Sequence, residues 1–277
     1  MHPRSLVFLA LLLLVPTFAL KAQSSPTREC DLKSLQICAL HVAQDEVGII
    51  TMPFHLTGAN LLWIAPFGVG TGIALDKDAE ALRSLGVDKN REDRFRKVSD
   101  YGGLYGPAAA VGAGYIAGSV LHNDHLRETA VLAAEAMADS MILNKGLGYA
   151  IDRQTPRQGD GTGRFWPHGT KTWPDGQSMA SDHSILVWSF AHVVASEYNS
   201  FATKALVYSL ATTVSASRVV AREHFPSDVF VGSALGYVIG GYVVRRRLTE
   251  STWDKFALST VGTPNGRGMQ LSYNFAR

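Results

Sequence analysis

Three side chains suited to phosphate chemistry lie in the segment SRVVAREHFPSD, residues 217–228. Arg218 carries a planar fork that matches phosphate oxygens in pairs. His224 places a ring nitrogen just ahead of Pro226, a residue favoured in the first helical turn, and the amide dipoles at such an end favour an anion. Asp228 follows His224 by four positions, a spacing at which a carboxylate can accept the Nδ1 hydrogen, fix the tautomer and leave Nε2 to attack phosphorus. A plainer alternative has Asp228 capping the helix and His224 packed in a loop.

Upstream, Ala180-Ser181-Asp182-His183 adds a hydroxyl and a second imidazole; its own plain alternative is a histidine capping a helix that starts at Ser184. Taken together, the two segments resemble the type-2 phosphatidic acid phosphatase superfamily of lipid phosphatases, bacterial non-specific acid phosphatases and vanadium haloperoxidases. SRVVAREHFPSD is similar to that superfamily's third signature. Ser181 and His183 match its second, Pro-Ser-Gly-His, while Ala180 and Asp182 depart from it. The resemblance implies His224 as nucleophile, His183 as general acid, Asp228 as the carboxylate behind the nucleophile, Arg218 and Ser181 as phosphate ligands, and chemistry without a metal or other cofactor. Where Asp182 stands the superfamily has glycine, which lets backbone amides approach the phosphate; a carboxylate there repels a dianion unless it points away.

The first signature, a lysine followed after six residues by Arg-Pro, aligns best with Pro156 on its proline. That puts Thr155 on the arginine and Gly148 on the lysine. Charge-assisted hydrogen bonds contribute about 1.5 to 3 kcal/mol each, so losing both corresponds to roughly a hundredfold to ten-thousandfold in rate. Lys145, about one helical turn before Gly148, and Arg153 and Arg157, flanking Thr155, are the candidate replacements at the phosphate.

These residues need a scaffold. From about Tyr101 to Arg247 the chain alternates long, alanine-rich apolar segments with short polar joints, the pattern of a helical bundle. The segments are Gly103 to Leu121; Asp124, a candidate cap, to about Leu143; Ser184 to Ser196; Ala202 to Arg222; and Pro226 to Arg247. Two regions break the pattern. The Gly-, Pro- and Trp-rich stretch from Arg157 to Ala180 is too long for an idle connection and reads as a functional lid or substrate loop. Phe256 to Val261 and Met269 to Phe275 alternate around Pro264-Asn265-Gly266, which reads as a β-hairpin. The expected fold is all-α, a helical bundle of the phosphatidic acid phosphatase and haloperoxidase type, with a short C-terminal hairpin.

The remaining features set the surroundings. One positive charge at Arg4, an apolar run from Leu6 to Leu14 and small residues at Ala19 and Ala22 read as a secretory signal over residues 1–22. The expected divisions are then an N-terminal extension, 23–96, the phosphatase-like domain, 97–248, and a tail, 249–277. Without Arg4 and Lys21, 24 basic residues face 24 acidic ones, a balance that argues against a nucleic-acid partner. Cys30 and Cys38 suit a local disulfide in an exported, periplasmic or envelope-associated protein, with two unpaired thiols as the alternative. His122 and His125 lack the partner pattern of a metal site, and Gly68, Gly70 and Gly72 lack that of a nucleotide loop. Arg245 to Arg247 end a helix or touch anionic lipid. The partners expected are a phosphate-containing small molecule or lipid, and a membrane surface. A weakened envelope scaffold and a vanadate-dependent haloperoxidase are the rival functions.

Overall fold

The structure is a computed structural model, and it describes residues 35–55, 57–169, 176–253, 256–263 and 266–273, with side chains described as far as residue 246. The expected signal sequence, Cys30 and the middle of the Gly/Pro/Trp-rich stretch lie outside the described residues. Cys38 is disulfide-bonded.

The architecture is an all-α bundle. In chain order its helices are α1 (Leu35–Thr51), α2 (Leu61–Leu85), α3 (Lys89–Asp100), α4 (Gly106–Val120), α5 (Asp124–Ile151), α6 (Asp182–Glu197), α7 (Phe201–Val220) and α8 (Pro226–Trp253), with a π-turn at Tyr101–Tyr105 between α3 and α4. Beyond them, β1 (Phe256–Thr263) and β2 (Gly266–Tyr273) pair antiparallel, from Phe256↔Tyr273 to Thr263↔Gly266.

Helix starts follow capping chemistry. Asp88, Asn123 and Ser200 each accept a hydrogen bond from the backbone N–H three residues on, opening α3, α5 and α7. At α5 the cap is therefore Asn123 and not Asp124: the asparagine has extended backbone, with φ −101° and ψ 91°, while Asp124 is already helical. At its far end α5 stops on Asp152 in the left-handed region, φ 43°, and that carboxylate accepts the Gly176 N–H at 2.8 Å. The long stretch after α5 thus returns to the helix it left.

The core runs along α6. Ile185 and Val193 of α6 meet Ala133 and Ala136 of α5 and Ile239 and Val243 of α8, while Val187 and Ala191 meet Ala211 and Val214 of α7. Helix α8 comes closest of all. A Cβ added at Gly232, Gly236 or Gly240 would stand 2.8, 2.2 or 2.6 Å from the carbonyl oxygen of Ser181, Ile185 or Ser189. Small residues at this four-residue spacing let two helix backbones touch. The pairings rise together along both helices, so α6 and α8 run parallel and begin at the same end of the bundle. That end holds the candidate site. Pro226–Arg246 of α8 is long and apolar enough to cross a bilayer, and half of it is buried inside the bundle.

Candidate active site

His224 lies in the joint between α7 and α8 and is 4% exposed. Its Nδ1 is 2.8 Å from the carbonyl oxygen of Ser178. A carbonyl only accepts, so Nδ1 carries the hydrogen and Nε2 keeps its lone pair. Asp228, expected to accept that hydrogen, has Oδ2 3.9 Å from Nδ1. Its oxygens are taken elsewhere: Oδ2 accepts from the Phe225 N–H at 2.9 Å and the Ser178 hydroxyl at 2.6 Å, and Oδ1 from Arg153 at 2.5 Å. The carboxylate holds the carbonyl that holds the ring, one link further back than the spacing suggested. Capping of α8 by Asp228, the plainer alternative, is present as well, through the reach back to the Phe225 N–H.

Arg153 is not a phosphate ligand in this arrangement. It is 2% exposed, and its guanidinium donates to Ser227 Oγ at 2.7 Å, Asp228 Oδ1 at 2.5 Å, Asp78 Oδ2 at 2.7 Å and the Gly163 carbonyl at 3.2 Å. It also lies over the Phe225 ring, 4.3 Å from the centroid. Desolvating this cation requires full pairing, and two carboxylates meet that need. Asp78 of α2 also accepts the Ser227 N–H at 3.0 Å and the Ser227 hydroxyl at 2.5 Å. The anions at the start of α8 are thus Asp78 and Asp228 themselves, so this helix end does not wait for a phosphate. Arg157 is likewise engaged away from the site, with Glu92 at 3.3 Å, Glu223 at 3.3 Å and the Ala221 carbonyl at 2.8 Å.

Arg218, at the C-terminal end of α7, is 7% exposed. Its Nη1 donates to Ser99 Oγ at 3.1 Å and meets Asp100 Oδ1 at 3.4 Å, while its buried Nε has no hydrogen-bond partner. His183, in the first turn of α6, has Nε2 3.4 Å from the same Asp100 oxygen, and its buried Nδ1 is unpartnered. Burial, reinforced by the Arg218 cation, pushes the His183 imidazole down to about 4 against the opposing pull of Asp182 and Asp100. The same two causes lower His224, opposed by Asp228, Asp182 and the bond to Ser178. Both rings are neutral at physiological pH.

Asp182 puts Oδ1 3.8 Å from His224 Nε2 and Oδ2 4.0 Å from Lys145 Nζ. The Lys145 side chain, on α5, is 53% exposed, but Ser181 is fully buried, with the Ser184 hydroxyl donating to its Oγ at 3.2 Å. Ser181 is the N-cap of α6, yet its hydroxyl caps no backbone N–H of that helix. Gly103 of the π-turn packs on His183, where an added Cβ would stand 2.8 Å from Cδ2. Among the described residues no three His, Cys, Asp or Glu side chains converge as a metal ion would require. A cavity of about 410 Å³ between Gln154, Gln158, Asp160, Arg164 and His168 includes none of these site residues in its walls.

Residues 129–251 match the PAP2 superfamily. The crystal structure of Aquifex aeolicus LpxE aligns with 61% of this chain and 94% of its own, at 17% identity and a TM-score of 0.40. No curated protein matches the chain. The PAP2 segment contains Lys145, Arg153, Ser178, Asp182, His183, Arg218, His224 and Asp228. Asp78, Ser99 and Asp100 come from helices that precede it. Sequence reasoning missed these three, because a lone acid or serine in a charged helix carries no spacing signal that points across the bundle.

Proposed function

We propose that the chain hydrolyses phosphomonoesters, lipid phosphates or isoprenoid pyrophosphates among them, through a phosphohistidine on His224 and without a metal ion. The observation that carries this reading is the Nδ1 contact from His224 to the Ser178 carbonyl, which leaves the Nε2 lone pair as the nucleophile. In the first step Nε2 attacks phosphorus, the bond from phosphorus to the leaving oxygen breaks, and protonated His183 gives its proton to that oxygen. In the second, water attacks phosphorus, its proton passes to His183, the bond to Nε2 breaks and phosphate departs. Arg218 Nε and the first amides of α6 face the equatorial oxygens, where negative charge collects. His183 is neutral in the empty site, and the incoming anion raises its proton affinity, so the acid is charged by the substrate it serves.

An apolar face supports a substrate met at a lipid surface. From Leu61 to Leu75 α2 carries no charged side chain, and Leu62, Val69 and Ile73 are 82, 63 and 60% exposed. An exported location, periplasmic or at the envelope, accords with the N-terminal sequence. The test is hydrolysis of p-nitrophenyl phosphate and of a lysophosphatidic acid in excess chelator. Activity that survives the chelator, is blocked by vanadate and drops at least about a thousandfold in His224→Ala is expected for a nucleophile. No turnover of either substrate by folded protein favours the envelope scaffold instead, and vanadate-dependent halide oxidation favours the haloperoxidase.

A further inference from the structure

The charged groups of the site are ordered by depth. The side chains of His224, Arg218 and His183 are 5, 9 and 17% exposed, whereas those of Asp100, Asp182 and Lys145 are 41, 43 and 53% exposed. The groups suited to hold and attack phosphorus are deep. Two carboxylates stand outside them, at the mouth. An in-line displacement sends the leaving group away from the nucleophile, hence outward from His224 toward that mouth.

The balance of charge is unusual for an anion site. Arg218 and Lys145 are matched by Asp100 and Asp182, and both imidazoles are neutral. Among the described residues, a bare phosphate dianion approaching His224 meets two carboxylates with no net positive charge to receive it. Yet the deep end is built for an anion, since the buried Arg218 Nε has no other partner. The outer carboxylates are only loosely held, Asp182 with its nearest cation at 4.0 Å and Asp100 with contacts of 3.4 Å. A substrate that brought its own cation would satisfy both ends together, its phosphate on Arg218 and its positive charge between Asp100 and Asp182.

We propose that Asp100 and Asp182 are specificity-determining residues that select phosphomonoesters whose leaving group carries an ammonium group close to the phosphate. This rests on the phosphatase reading above. Two features of the chain place the pair. Asp100 is the last residue of α3, directly before the π-turn whose Gly103 packs against His183, so the carboxylate and the acid are positioned by one element. Asp182 opens α6 immediately before His183, where the superfamily signature has glycine.

The experiment compares O-phosphoethanolamine with n-propyl phosphate, which is nearly the same size and lacks the charge, on the full chain at low ionic strength. Two rim contacts of this kind are worth roughly a tenfold preference in kcat/KM for the ammonium substrate. Asp100→Asn and Asp182→Asn should each bring the ratio several-fold nearer to one, and added salt should do the same in the wild type. A wild-type ratio at or below one overturns the proposal and leaves the phosphatase reading standing. So does a uniform fall with both substrates in the two variants, which would mark these residues as positioning groups only. Failure to hydrolyse either substrate, with folded protein and lipid phosphates also untouched, overturns both.

Discussion

The inner and outer halves of the site are built on opposite terms. Behind His224, the buried side chains of Asp78, Arg153, Ser178, Ser227 and Asp228 form a closed network with hydrogen bonds of 2.5 to 3.0 Å. In front of it, Arg218 and His183 keep buried nitrogens without partners, and the contacts to Asp100, Asp182 and Lys145 run from 3.4 to 4.0 Å. The closed half fixes a tautomer; the open half leaves two buried nitrogens unmatched. A charged residue therefore has to be read from its partners. Arg153 and Arg218 are the same side chain at similar burial, and only one has a donor to offer.

The comparison breaks most readily at Arg153. Arg153→Ala leaves Asp78 and Asp228 as buried charges without their cation, and a loss of about 3 to 5 kcal/mol is expected in denaturant unfolding. A loss below about 1 kcal/mol would mean that the inner network is not what holds the start of α8.

The next effect is on pH. His183 is depressed to about 4 in the folded chain from 6.5, so below 6.5 the unfolded chain takes up a proton that the folded chain refuses. Stability is complete above about pH 6.5 and falls as the pH drops toward 4, by roughly 3 kcal/mol from this group alone. His183→Gln should flatten that part of the curve, and an unchanged slope between pH 4 and 6.5 would exclude His183 as its source.

Activity sharpens the same point. A general acid must be protonated, so kcat/KM should decline with rising pH above about 4. The substrate anion raises the acid's proton affinity, so kcat should hold to a higher pH than kcat/KM. Coincident profiles would mean that the bound anion does not face His183.

The smallest effect belongs to the rim. Lys145→Ala should raise KM by about two- to fivefold with little change in melting temperature, as expected of an exposed charge. An unchanged KM and rate would remove Lys145 from the site.

Much of the bundle was legible from residue patterns. The expected segments at 184–196 and 202–222 lie within two residues of α6 and α7, and that at 226–247 starts with α8, which runs six residues further to Trp253, because apolar runs between caps and breakers report helix cores better than helix ends. His183 and Arg218 both meet Asp100, and His224 lies beside Asp182, the residue just before His183. What was not legible has a common cause. The partner of His224 Nδ1 is a backbone carbonyl, and main chain has no residue type to find. Whether Arg153 faces a ligand or a carboxylate depends on Asp78, which lies 75 positions away on another helix. The stretch from Arg157 to Ala180 suggested function through its length, yet the part of it that touches His224, at Ser178, acts as a shelf beneath the ring.

On the proposed phosphatase reading, the glycine seam between α6 and α8 governs how substrate size is met. Because the two main chains touch at Gly232, Gly236 and Gly240, the supports of His183 and His224 travel as one body, and their spacing cannot be tuned by swapping rotamers. Room for a bulkier molecule has to come from the facing wall, where α3 passes into the wide turn at Tyr101–Tyr105. Evolution toward larger substrates in this chain would leave its mark there, on residues remote in sequence from either histidine.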